Sequence, residues 1–414
     1  MSHRTRPVHR SALTALTTLV ACLGVALAPS PASAAQRLET IDLPSTLGNV
    51  DVHTTQLNGT NVLKANVLLP DGYDTDATKA WPVLYLLPGV GDNYNSWAVK
   101  KKGRIATIAR GFQGIIVMPE AGRGYLTDWW RGGGRSNPRW QQYYLDEVVP
   151  AIQSKYRILP GRQNHAIGGI SMGGFGGVNL AEQFPSYFGS ALSLSGLLDS
   201  QAPESMLILP LDIGSPYMKI WGNAVGAYAT LHNPIKNIDE MANTNLYMST
   251  GNGIPLGNEP FDLGGWTTGA LSEYAVWRQN LAYITKAKAL GIPVTYSGHP
   301  GVHDWPYWRH ELPRALASNL FKSTPANDPA ALTTWTYRTM APHGNMWGFG
   351  YTFSALPFKI ETFKRSGQTL SATGAGTVTI TPGAADTDAS GNGTKTQCAF
   401  TTTLPFTYTL PAGC

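Results

Sequence analysis

Asn164-His165-Ala166-Ile167-Gly168-Gly169-Ile170-Ser171-Met172-Gly173-Gly174-Phe175-Gly176-Gly177 decides the fold. A short apolar run leads into Gly-x-Ser-x-Gly, and the residues from Val178 to Phe184 continue as a helix. Strand, sharp turn and helix in that order expose one serine hydroxyl at the bend. The bend brings strand and helix close together, and Gly169 and Gly173, flanking Ser171, carry no Cβ to obstruct the approach. A hydroxyl is a poor nucleophile until a base takes its proton and donors face the oxyanion it creates. The N–H of Met172, at the helix N-terminus, is placed to be one such donor. The pentapeptide alone is common in a glycine-rich chain; the strand before it and the helix after it give it meaning.

Around this stretch lie 414 residues, 43% hydrophobic and 14% charged, with a formal charge of +5. That length supports one large core and a smaller module. The positive charge is spread out, without a Lys/Arg run of the kind that tracks a nucleic-acid backbone, so nucleic acid is not an expected partner. At the start, Arg4, Arg6, His9 and Arg10 precede an apolar run from Ala12 to Ala28 and a small-residue site, Ala32-Ser33-Ala34. This is the pattern of a secretory signal peptide over residues 1–34. A retained membrane anchor is the competing reading; the shortness of the apolar run and the prolines at 29 and 31 disfavour it. Cys22 belongs to that segment, which leaves Cys398 and Cys414, an even number in an oxidising, extracellular setting, expected to form a disulfide. Neither lies near a base in sequence, which argues against a thiol enzyme.

Between Ala35 and Pro70 the alternation of Leu38, Ile41, Leu43, Val50, Val52, Val62 and Val67 predicts antiparallel strands, with a turn at Leu57-Asn58-Gly59-Thr60. Trp81 to Leu87 is a continuous apolar run, which suits a strand buried on both faces of a parallel sheet, and it ends in the flexible loop Pro88-Gly89-Val90-Gly91-Asp92. Further strands are expected at Gly114–Pro119, Gly189–Ser195, Leu246–Thr250 and Val294–Ser297, with helices at Gln141–Tyr156, Thr268–Leu290 and Arg309–Leu320. A long stretch punctuated by Gly, Pro and Asn separates Gly196 from Ile238. Strand–helix alternation of this length implies a doubly wound, mostly parallel α/β sheet, the α/β-hydrolase architecture, over residues 35–322. The pattern changes across a linker at 323–330. Alternating Thr, Val, Ile and Phe at Trp335–Tyr337, Gly350–Phe353, Thr377–Thr381 and Phe400–Leu410 then predict a small C-terminal all-β module over 331–414, with Trp335 and Trp347 in its core.

A serine nucleophile needs a base and a group to orient that base, and on this architecture the chain order is Ser, acid, His. Of the downstream histidines, His303 lies in Gly301-Val302-His303-Asp304-Trp305-Pro306-Tyr307-Trp308, a loop after a strand and before a helix, where the base belongs. His299 is separated from it by Pro300 and Gly301, which break any helical metal-ligand spacing, and His310 is expected on an exposed helix face. Three acids stay open on this reasoning, Glu259, Asp262 and Glu273, any of which could be a solvated carboxylate.

The segments Ile167–Gly174, Leu192–Asp199, Gly251-Asn252-Gly253-Ile254-Pro255 and His303–Trp308, in that order, resemble the antigen 85 mycolyltransferases and the wider esterase D-like family. The likeness runs from about Leu38 to Leu320 and stops short of the β tail. In that family the acid is a glutamate on the helix after the Gly-Asn-Gly-x-Pro loop, which implies Glu273 here. The resemblance also implies Val90 and Met172 as oxyanion N–H donors, and Trp305 beside the base with Gly89 at the substrate. The family's loop carries an Asp and an Arg that contact trehalose; Pro88 and Gly91 stand in those places, so specificity for that disaccharide is not expected to carry over.

These readings imply a secreted serine acyltransferase or esterase, with Ser171, Glu273 and His303 forming an acyl-serine and passing it to a sugar, glycerol or water. The expected substrate is an acyl-ester lipid or glycolipid, with a cell-envelope glycan as a further partner, and the expected state is a monomer without metal or cofactor. A plain extracellular carboxylesterase is the first alternative. A non-catalytic envelope or matrix-binding protein on the same fold is the second.

Overall fold

A strand covered on both faces must be apolar throughout. In the computed structural model, Val83, Tyr85 and Leu87 join the core on one side of a sheet, while Leu84 and Leu86 join the core on the other. The structure describes residues 1, 35–47, 63–130, 138–256, 263–321, 332–385, 388 and 390–414. The chain divides into two units, Met1–Ser33 and Ala34–Cys414, and the sheets and the candidate site belong to the second. Residues 2–34 of the expected signal segment, the turn at Leu57–Thr60 and the linker at 323–330 lie outside the described residues.

Among the described residues eight strands form the large sheet: β1 (Arg37–Asp42), β2 (Lys64–Leu69), β3 (Val83–Leu87), β4 (Ile115–Pro119), β5 (His165–Ile170), β6 (Ser190–Leu194), β7 (Asn245–Thr250) and β8 (Val294–Gly298). Their spatial order is β1-β2-β4-β3-β5-β6-β7-β8. β2 pairs antiparallel with both β1 and β4, and every pairing from β4 to β8 is parallel. Helix α1 (Met172–Gln183) packs Phe175 and Val178 into one core, to which Tyr283 and Ala287 of a later helix also belong. Trp305, Trp308 and Leu312 fill the core on the opposite face. The result is a three-layer α/β structure with β5 near its centre.

The stretch from Gly196 to Ile238, expected as a long excursion, contains helix α2 (Pro203–Ile213) and several short turns of helix. Helix α3 spans Leu263–Ala289. Helix α4 begins at Trp305, earlier than the expected Arg309, and runs to Ala317. The Asp304 carboxylate accepts a bond from the Trp305 N–H, and Pro306 follows in the first turn, where its missing N–H costs nothing. The expected helix at Gln141–Tyr156 is interrupted by a π-helical segment, Tyr143–Val148, just ahead of Pro150, which has no N–H to donate back to Asp146.

Beyond residue 331 the described chain forms two four-stranded antiparallel sheets. The run expected over Phe400–Leu410 is divided into two strands, Phe400–Thr403 and Phe406–Thr409. Trp335, Tyr337, Trp347, Phe349, Tyr351 and Phe363 share one core. Cys398 and Cys414 are bonded, with Cα atoms 5.8 Å apart. This tail is fastened to the large sheet's layers by polar contacts. Tyr337 donates to the Gln183 carbonyl at 2.8 Å, the Ser186 hydroxyl donates to the Asn345 carbonyl at 2.6 Å, and Arg338 reaches Glu240 at 3.1 Å.

A further contact between the tail and the large sheet's layers titrates. His343 Nε2 lies 3.2 Å from Asp146 Oδ2. The hydrogen bond to Asp146 lifts His343 above its ordinary value of 6.5, against the opposing pull of burial. The folded imidazole therefore holds its proton more tightly than the unfolded one. The pair's contribution is complete below the unfolded value and drains away as pH rises through the folded one. For a partly exposed pair it is about 1 kcal/mol or less. Thermal unfolding from about pH 6 to about pH 9 should show the wild type losing that margin relative to His343→Gln, which cannot titrate. A constant difference between the two across that range would contradict this.

Candidate active site

The sharp turn after β5 holds Ser171 at φ 52° and ψ −116°, a region L-residues rarely occupy. Holding a residue there costs on the order of 1–3 kcal/mol and requires that the surroundings leave no alternative. They do: a Cβ on Gly169 would lie 2.2 Å from the Leu87 carbonyl oxygen, and one on Gly173 would lie 2.6 Å from the same atom. The turn is pressed against β3, and only glycine fits on either side of the serine. The hydroxyl consequently projects above the C-terminal edge of the parallel strands, where open α/β sheets place their ligands.

His303 meets it there. Its Nε2 lies 2.8 Å from Ser171 Oγ, and its Nδ1 lies 2.7 Å from Glu273 Oε2. An ionised carboxylate only accepts, so Nδ1 carries the proton and Nε2 presents its lone pair to the serine hydroxyl. Glu273, on α3, is 1% exposed, and burial of an ionised carboxylate without partners is prohibitive. It has them: Oε1 accepts from the Gly251 N–H at 2.6 Å and from the Ser195 hydroxyl at 2.7 Å. Ser195 in turn accepts from Trp308 Nε1 at 3.0 Å. The His303 N–H donates to the Gly269 carbonyl at 3.1 Å, which ties the histidine's loop to α3.

Of the residues singled out from the sequence, Ser171, Glu273 and His303 come together in one hydrogen-bonded chain. Gly89, Val90, Ser171, His303 and Trp305 line a common cavity of about 330 Å³. Met172 opens α1, whose first N–H groups have no acceptor within the helix. Glu259 and Asp262 lie outside the described residues. The ring packed edge-on against His303 is Trp308, with centroids 5.0 Å apart; Trp305 stands one ring further away, 5.6 Å from Trp308. His310 is exposed on α4, and His232 is buried elsewhere, held neutral by burial that pushes it down to about 4. Among the described residues no three His, Cys, Asp or Glu side chains are grouped as a metal ion requires.

Sequence reasoning missed three contributors. Ser195 follows β6, the strand beside β5, and only the sheet order reveals that it reaches Glu273. Trp308 lies one helical turn beyond Trp305 on α4, a spacing readable only once the helix start is known. Asp212 lines the cavity from α2; burial lifts its carboxyl above the ordinary 3.8, while His303 and Arg123 pull it the other way. Further wall residues include Ile208 on α2, Ser272, Ala275, Val276 and Gln279 on α3, and Leu197.

The model of the family described as "Putative esterase" matches residues 59–318. Over 201 residues the chain is 29% identical to the esterase Rv1288 of Mycobacterium tuberculosis, a match covering 45% of this chain and 42% of that protein. Over 247 residues it is 27% identical to the diacylglycerol acyltransferase/mycolyltransferase Ag85A of Mycobacterium leprae, covering 56% of this chain and 72% of that one. The chain thus spans about two fifths of the length of the first esterases it matches. Among solved structures, MPT51 of Mycobacterium tuberculosis superposes with a TM-score of 0.52 at 18% identity, covering 69% of this chain and 98% of that one, a likeness of fold. With the family's model matched along more than half of its length, and the α/β layers in place around that match, the chain belongs to this esterase family.

Proposed function

We propose that the chain is a serine ester hydrolase or acyltransferase that works through an acyl-enzyme on Ser171. The observation that carries this is the unbroken relay from Ser171 Oγ through His303 to the buried Glu273, built on a strained serine. His303 Nε2 accepts the hydroxyl proton as Oγ bonds to the ester carbonyl carbon. The carbonyl oxygen becomes an oxyanion facing the Val90 and Met172 N–H groups. The tetrahedral species collapses, the alcohol leaves with the proton from Nε2, and the acyl group remains on Oγ. Water or a second alcohol then repeats the sequence in reverse roles. Glu273 keeps the imidazole in the required tautomer and stabilises the imidazolium.

Transfer to a sugar or glycerol hydroxyl is the reading suggested by the relative named a diacylglycerol acyltransferase/mycolyltransferase, and hydrolysis by the one named an esterase. A plain carboxylesterase is favoured by one observation: Pro88 and Gly91, which offer no side-chain hydrogen bond to a sugar, occupy the loop beside the nucleophile. The substrate class is an acyl ester of a lipid or glycolipid. Secretion is part of the proposal, supported by the basic, apolar and small-residue pattern of 1–34 and by the Cys398–Cys414 bond.

Ser171→Ala and His303→Ala should each lower kcat/KM for a simple aryl ester by about 10³-fold or more, and the double variant should be little worse, because the relay acts as a unit. Near-normal turnover by Ser171→Ala would sink the proposal. Ser195→Ala removes one of two donors to Glu273 Oε1 and leaves Trp308 Nε1 without its acceptor. It should lower kcat about tenfold with KM little changed. An unaltered kcat would mean that the Gly251 N–H alone suffices to hold the carboxylate.

A further inference from the structure

The cavity over Ser171 has an unusual charge balance for an ester site. Among the described residues four carboxylates line it, Asp92, Glu204, Asp212 and Asp304, and no lysine or arginine does. Lys102 is paired with Asp92, Nζ to Oδ1 at 2.5 Å, and Arg123, which donates to the main-chain oxygen of Asp212 at 2.5 Å, offsets part of that residue's carboxylate charge. Asp304 spends one carboxylate oxygen on the α4 N-terminus. Glu204 and Asp212 remain, both half-buried and both on the face of α2 that is turned to the cavity. Residues 204, 208 and 212 recur every four positions, so Glu204, Ile208 and Asp212 form one stripe along the cavity wall. Tyr125, Trp305 and Trp308 line the same cavity. Lys102, held by Asp92, places its ammonium 6.0 Å from the Trp305 ring centroid, at the outer reach of a cation–π contact.

Aromatic rings together with carboxylates in a partly desolvated cavity are the chemistry of ammonium recognition. The same surface opposes anions, because each fixed negative charge repels them with little water between to screen it. We propose that this cavity selects esters bearing an ammonium group and turns away esters bearing a carboxylate or phosphate, with Glu204 and Asp212 setting the preference. The inference rests on Ser171 as the acylated residue, since it concerns which esters reach that hydroxyl. Glu204 and Asp212 determine specificity and take no part in the proton transfers.

The test uses three butyryl thioesters that differ in the leaving thiol: thiocholine, the uncharged mercaptoethanol and the anionic mercaptopropionate. The thiol released is measured for the full chain, for Asp212→Asn and for Glu204→Gln. The wild type should turn over the thiocholine ester with a kcat/KM at least about tenfold above that of the anionic ester, with the neutral one between. Each variant should shrink the cation-to-anion ratio several-fold, and about 0.5 M salt should narrow it in the wild type. Equal kcat/KM for the three esters, or a ratio that both variants leave unchanged, overturns the proposal. A second measurement does not depend on turnover. Choline titrated into Ser171→Ala should perturb the fluorescence of the cavity tryptophans at concentrations where acetate does not, and the response should weaken on adding Asp212→Asn. If no thioester reacts but choline binds in this way, the acyl-serine reading fails and the charge preference stands. If thioesters react without charge preference and choline has no effect, the reverse holds.

Discussion

The backbone of Ser171 is held where an L-residue does not go of its own accord, and the rest of the structure serves that constraint. The left-handed φ of 52° turns the chain from β5 into α1 within one residue and lifts the hydroxyl clear of the sheet. It persists because the neighbouring positions are glycine and because Leu87 of β3 presses its carbonyl into the space a side chain would fill. Relieving the strain would require moving a strand that is buried on both faces, which tight packing resists. Local strain at the serine is thus sustained by the cohesion of the whole sheet.

A second constraint is electrostatic. A glutamate with 1% exposure is stable only if its charge is matched, and Glu273 gathers a main-chain N–H, a hydroxyl and an imidazole N–H around its two oxygens. These donors come from the ends of β6 and β7, from the loop after β8 and, through Ser195, from α4. The carboxylate therefore ties together the elements that frame the cavity. Its position also decides the histidine's tautomer, and with it the direction in which a proton can move between Ser171 and His303.

Much of this was legible in the residues. The apolar run at Trp81–Leu87, the glycine-flanked serine and the strand–helix alternation each follow from local rules that tertiary packing reinforces, and His303 was marked by its position between a strand and a helix. The acid was not: three carboxylates satisfied the same local rules, and only likeness to a known family singled out Glu273. Ser195 and Trp308 were hidden because their roles arise from strand order and from where α4 starts. Helix α2 was hidden for a different reason. Met206, Leu207, Ile208, Leu209, Leu211 and Ile213 give it apolar residues on nearly every side, and Pro210 interrupts it, so no amphipathic period survives to be read. That helix nevertheless supplies Glu204 and Asp212, two of the carboxylates that line the cavity.

The central claim is that Ser171 is activated by the His303–Glu273 pair. The most direct measurement is peptide mapping by mass spectrometry after brief exposure to a fluorophosphonate ester, in the wild type and in His303→Ala. The account predicts one phosphonyl adduct, on the peptide containing Ser171, and its loss or strong retardation when the imidazole is removed. No adduct, an adduct on another residue, or labelling that proceeds equally well without His303 would contradict it.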